Sequence, residues 1–186
     1  MIQFKEEIRT DRLRLKVLEE ENASTFAELV SANKTRLQES FPITVRRATD
    51  KGAASIYLKE LQYDRLHGRS VLYGVWFRGL LVGMIIVKNI DWRIPRSEVG
   101  YFVTQTYEGL GFTSEALRAV CLYCFDDLSI LKICAKIIPT NLQSKQLVEK
   151  LGFELEGTLR KEYKTGLGEV VDINYYGLLS QSRPEQ

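Results

Sequence analysis

The stretch EVGYFVTQTYEGLGFTSEAL, residues 98–117, reads as a β-strand that passes through a glycine pair into a helix. Amide donors in the first turn of a helix have no intrahelical partner and carry partial positive charge. A diphosphate therefore binds well where Gly109-Leu110-Gly111 opens the helix, because glycine leaves no side chain between the anion and the backbone. Thr113 and Ser114 are placed to add hydroxyl donors or to cap the helix. Taken alone, a GxG is as readily a tight turn as an anion site. Two common phosphate loops are excluded. A P-loop needs Gly-Lys-Ser/Thr, and Gly111 is followed by Phe112-Thr113; a dinucleotide fingerprint needs a third glycine, and Ser114 stands there.

Outward from this unit the chain alternates between the two periods. Residues 13–18 (LRLKVL) predict a strand, and residues 21–37 a helix with Phe26, Leu29, Val30 and Leu37 near one face. Phe41-Pro42 breaks that helix. A second helix is expected over 50–66, closed by His67-Gly68. Strands at 71–77 and 80–87 flank Arg78-Gly79, the spacing of a hairpin. After the glycine loop, Leu117, Val120, Cys121, Cys124, Phe125 and Leu128 form an apolar helical stripe. A branched strand at 131–138, a helix at 141–151, and strands at 153–163 and 169–179 around Thr165-Gly166 complete the order. The class is α/β, without the strict alternation of a doubly wound fold.

Bulk properties narrow the function. The 186 residues carry a net charge of +2 with both signs mixed along the chain, and Arg46–Arg47 is too short for a nucleic-acid stripe. No apolar run is long enough to span a bilayer. The N-terminal residues lack an apolar leader, and three cysteines suit a reducing compartment, so a cytoplasmic location is expected. Cys121 and Cys124 share the apolar stripe of a helix, which favours core packing over a metal or redox pair; no metal is expected. His67 reads as a helix-end side chain. Trp76, Phe77, Tyr101 and Phe102 read as core, while Trp92 and Phe41 are candidates to line a pocket.

The strand–GxG–helix unit, followed by Asn141-Leu142-Gln143-Ser144 and Glu149-Lys150-Leu151-Gly152-Phe153, resembles the GNAT acyltransferase superfamily. Thr10-Asp11-Arg12-Leu13, Asn33-Lys34, Leu37-Gln38-Glu39-Ser40, Asp172 and Tyr176 extend the likeness to the RimJ/RimL branch, which acetylates N-terminal amines of ribosomal proteins. The resemblance implies one domain over residues 1–186. Its sheet would be mixed, mostly antiparallel, flanked by helices, and splayed between strands 98–103 and 131–138. It implies acetyl-CoA as co-substrate. The pantetheine arm would meet backbone groups of Phe102 and Val103, the diphosphate the amides of Glu108, Gly109, Leu110, Gly111, Phe112 and Thr113 with Ser114 beside them, and Asn141 the arm from the far side. Thr106 departs from the Arg or Gln frequent before the loop. Val148 replaces the tyrosine acid of many relatives, and Ser144 takes the position of the branch's proposed serine.

For acyl transfer the resemblance makes Glu162 the first candidate base, with Glu98, on the strand leading into the loop, the second. An α-amine with a pKa of ~7.7–8 needs only a modest base. Ser144 is expected to hydrogen-bond the departing thiolate. Three readings compete. The first is transfer to a protein N-terminus. The second is transfer to a small amine, if segments 33–44, 91–96 and 163–168 close the acceptor pocket. The third is a module that binds coenzyme A without turnover. No membrane or direct nucleic-acid partner is expected; a homodimer is the assembly common in the branch.

Overall fold

A computed structural model describes residues 3–182. The readings of the extreme N-terminus and of the domain ends at 1 and 186 reach residues outside the described ones. The strands are β1 (Glu7–Arg9), β2 (Arg14–Val17), β3 (Val71–Phe77), β4 (Leu80–Asp91), β5 (Arg96–Val103), β6 (Lys132–Ile137), β7 (Glu154–Lys164) and β8 (Val170–Leu179). They form one open sheet in the order β1-β2-β3-β4-β5-β6-β8-β7. All neighbours are antiparallel except β5 and β6. The helices are α1 (Ala23–Ala32), α2 (Lys34–Ser40), α3 (Pro42–Arg47), α4 (Lys51–Leu66), α5 (Phe112–Asp126) and α6 (Leu142–Lys150).

The sheet divides two cores. Alternate residues of β5, Val99 and Val103, join a core with Leu117, Val120 and Cys121 of α5 and Val148 of α6. Phe102, on the other face, packs with Phe26 and Val30 of α1 and Leu58 of α4. The period-2 alternation of a strand thus seats α5 and α6 on one face and α1 to α4 on the other. Cys121 and Cys124 are buried in the first core, as their place on the stripe predicts.

One feature of the sheet matters most for function. β5 and β6 pair in parallel only from Arg96↔Lys132 to Val99↔Ala135. Beyond that point β5 runs on to Val103 and β6 to Ile137 without pairing, so the two strands fork. β4 keeps its partner through the fork, Gly83 facing Val103 and Met84 facing Phe102. That approach is close: a Cβ on Gly83 would come within 2.3 Å of Phe102 O.

Several expectations hold. Arg78 and Gly79, with φ of 49° and 83°, make the two-residue hairpin turn. Asp50 caps α4, its Oδ1 accepting from Ala53 N at 3.0 Å. Others need correction. The helix expected over 21–37 is two helices broken at Asn33, whose Nδ2 donates to Leu29 O at 2.8 Å. The break at Phe41-Pro42 falls where expected, α2 ending at Ser40 with Phe41 as its C-cap, but Pro42 also starts α3 from the N1 position, where a missing N–H costs no bond. β1 escaped the sequence reading.

Candidate active site

The fork opens into a cleft of about 800 Å³ bounded by the glycine loop, α6, β5, β6 and the α2–α3 corner. It falls within the ~300–1,000 Å³ typical of small-molecule sites. Gly109 and Gly111 both have positive φ, 74° and 79°, and Gly111 is the N-cap of α5. Among the described residues, the amides from Gly109 to Ser114 meet no acceptor; the first bonded one is Glu115 N, to Gly111 O at 3.0 Å. The amide of Glu108 is already committed to Gln105 O at 3.1 Å, so it drops from the expected donors. Thr113 and Ser114 line the cleft but do not cap the helix. Leu110 stands outside the cleft wall, exposed.

Arg12 braces this loop from β2's approach. Its Nη1 donates to Leu110 O at 2.9 Å, its Nε to Glu115 Oε2 at 2.6 Å, and its guanidinium lies over the Phe112 ring. Glu115 also accepts from the Arg12 amide at 3.0 Å. Across the cleft, Arg36 of α2 is ion-paired to Glu108.

The alternation of the β4–β5 ladder sorts the backbone groups at the fork. Thr104 N donates to Val82 O at 2.8 Å, which directs the N–H and C=O of Phe102 toward β4. Those of Tyr101 and Val103 point instead to the β6 side, into the fork. Of the two expected backbone contacts, Phe102 has its groups engaged by the sheet, while those of Val103, and of Tyr101, are open on the fork side.

On the far wall Asn141 caps α6, Oδ1 accepting from Ser144 N at 3.1 Å, which leaves its Nδ2 free of that task. Ser144 faces the cleft in the first turn of α6. Val148 is fully buried below it.

Of the carboxylates lining the cleft, Glu39, Glu98 and Glu108, Glu98 is the buried one, on the α1–α4 face and only 9% exposed. Lys88 Nζ lies 3.1 Å from Oε1 and Lys136 Nζ 3.3 Å from Oε2, and Asn89 Nδ2 donates to Oε2 at 3.1 Å. Burial by itself would raise its pKa, but the two ammoniums outweigh it, so the group sits below the ordinary carboxylate range. Glu162 is elsewhere: exposed on β7, outside the cleft lining, its Oε1 accepting from Tyr175 Oη at 3.4 Å. Its neighbour Tyr163 does line the cleft and donates to Ser40 O at 3.0 Å. With Gly166 N donating to Gln38 O at 2.7 Å, this ties the β7–β8 tip to the α2–α3 corner. Phe41 lines the acceptor side and packs on Phe102, ring centroids 5.9 Å apart. Trp92 does not; its Nε1 donates to Gly68 O at 2.8 Å, and segment 91–96 lies away from the cleft.

Sequence reasoning missed Lys88, Lys136, Arg12 and Arg36. Lys88 was within reach, since the hairpin register pairs it directly with Glu98. The others meet their partners only in three dimensions.

Comparisons with known proteins agree with this geometry. The acetyltransferase (GNAT) domain profile matches residues 12–154. The ribosomal-protein-serine acetyltransferase of Escherichia coli is 25% identical over 177 residues, 94% of this chain and 96% of that protein. The uncharacterized N-acetyltransferase p20 of Bacillus licheniformis is 28% identical over 179 residues, covering 95% and 97%. Among solved structures, RimL, the ribosomal L7/L12 alpha-N-protein acetyltransferase in complex with coenzyme A, superposes with a TM-score of 0.88 at 20% identity, covering 94% and 98%. A profile spanning most of the chain, laid over a forked sheet with a bare-amide glycine loop, shows that this protein belongs to the GNAT family of acetyltransferases.

Proposed function

We propose that the protein transfers the acetyl group of acetyl-CoA to the free α-amine of a protein N-terminus. The observation that carries this is the union, in one cleft, of unbonded amides on the glycine loop with a carboxylate held ionised at Glu98. The residues fit the co-substrate. The amides from Gly109 to Thr113 suit a diphosphate, and the space beside Gly109 is open. The Tyr101 and Val103 backbone groups in the fork suit an amide-bearing arm. Bound acetyl-CoA supplies an activated thioester.

The chain's own groups do the rest. Glu98 accepts, through a water, the proton that the attacking amine loses as the C–N bond forms. Its pKa below the usual range makes it a weak base, sufficient for an α-amine that titrates near ~7.7–8. The Val103 amide is placed to stabilise the oxyanion, a fixed donor of the kind worth roughly 3–4 kcal/mol. Ser144 hydrogen-bonds the sulfur as the C–S bond breaks. Base and leaving-group partner lie on opposite faces of the sheet, with the fork as the passage between them.

The acceptor class is supported by the Escherichia coli relative, named for a ribosomal-protein substrate. Incubation with acetyl-CoA and peptides of free or blocked N-terminus, read by mass spectrometry, tests it. One acetyl group is expected on the free α-amine and none on a blocked, lysine-containing peptide. Acetylation of free amino acids or polyamines alone would move the protein to the small-amine class. Binding of coenzyme A without any transfer would leave it a binding module.

A further inference from the structure

Tyr101 occupies an unusual position in this cleft. It lies on β5 in the fork, on the α5–α6 face, and lines the cleft together with Ser144. Its hydroxyl is buried and has no hydrogen-bond partner of ordinary geometry among the described residues. A buried, unsatisfied hydroxyl destabilises a fold, and such groups in folded proteins call for an explanation. Phenylalanine in the same place would avoid that cost. The Ser144 side chain lines the same cleft and comes close enough to oppose the effect of burial on the phenol. Burial dominates and pushes the Tyr101 pKa well above its usual range, so the hydroxyl stays protonated and can only donate or accept a hydrogen bond.

The position also answers a chemical need. Val148 offers no hydroxyl from α6, the Glu149 carboxylate is engaged by Tyr176 Oη at 3.0 Å, and a serine hydroxyl is a mobile rotor with no fixed direction. The Ser144 amide is held by Asn141, but that bond does not orient Oγ. The geometry points to Tyr101 as a positioning residue whose Oη–H donates to Ser144 Oγ and so turns the Ser144 proton toward the departing sulfur. No proton leaves Tyr101. As the C–N bond forms and the C–S bond breaks, the sulfur takes up the electron pair and is stabilised by the Ser144 O–H, then acquires its proton from solvent. This role rests on the acetyl-transfer reading above.

The test is Tyr101→Phe, which keeps the ring and removes only the unpaired oxygen. The free variant is expected to melt at the parent's temperature or above it. With coenzyme A bound, the thiol's pKa, followed by thiolate ultraviolet absorbance, should rise by about one unit. In turnover, kcat should fall about tenfold with KM for acetyl-CoA unchanged. Ser144→Ala should show the same pattern, and the double variant should be no worse than Ser144→Ala alone. An unchanged thiol pKa with unchanged kcat would overturn the proposal, as would fully multiplicative losses. A parent that binds coenzyme A but transfers nothing would instead defeat the acetyl-transfer reading, while the thiol titration still reports on Tyr101.

Discussion

At Glu98 burial and charge pull in opposite directions, and the two lysines decide the result. The depressed pKa fixes the sign of its contribution to stability. The contribution is complete above the ordinary glutamate value of ~4.3 and is lost as the pH falls through the lower value of the folded protein. Glu98→Gln should therefore flatten the acid end of a melting-temperature profile and cost about 1–3 kcal/mol at neutral pH, since Lys88 and Lys136 keep only an amide partner. The same variant should lower kcat/KM about a hundredfold, whereas Glu162→Gln should leave it near the parent's, because that carboxylate is outside the cleft. The alkaline rise of kcat/KM should follow the acceptor amine and reach its plateau above about pH 8 in both parent and variant. If instead the parent's log kcat/KM steepens from a slope of one to two at or above the ordinary glutamate value of ~4.3, Glu98 is not held ionised as its neighbours require.

Between elements, the glycine loop is the most demanding junction. Gly111 has a φ of 79°, and a Cβ there would sit 3.4 Å from Arg12 Nη2. Gly111→Ala should cost about 1–2 kcal/mol from left-handed backbone alone, and weaken coenzyme A binding by more than it lowers the melting temperature of the free protein predicts. Isothermal titration beside thermal melting separates the two. This junction was legible in the sequence because glycine announces its own backbone. So was the Arg78-Gly79 hairpin. β1 was not: its three residues carry no apolar alternation and pair along the sheet edge. The break at Asn33 was hidden because Leu37 keeps facing the same core as Phe26 and Val30 on both sides of it. Pro42 was read as a stop, which it is for α2, but its second role as the start of α3 was not. The setting of Glu162 was not legible either: it follows the family pattern in sequence, but it lies in a bulge between Leu159 and Tyr163, with Lys161 at φ 54°, that only the register shows. Ladder alternation, which separates Val103 from Phe102, depends on a register that one strand alone does not reveal.

For the molecule as a whole, the fork puts a binding site where a sheet would otherwise have continued its ladder. A ligand that fills it ties the glycine loop, α6 and both strands together. Coenzyme A at a hundred times its dissociation constant should add about 2.7 kcal/mol to stability. For a protein of this size that raises the melting temperature by about 5–11 °C; no shift would mean that the fork is not where it binds. Arg12→Ala should reduce that shift, since the brace between the approach to β2 and α5 holds the loop it acts on. The strand order has a further consequence for synthesis. β8 lies inside the sheet, between β6 and β7, although it follows both in the chain. Until it leaves the ribosome, the wall of the cleft carried by β6 has a bare edge, and β7 has nothing to hold. A nascent chain can thus assemble its first five strands early, yet the far wall of its cleft is sealed only when β8 slots in beside β6.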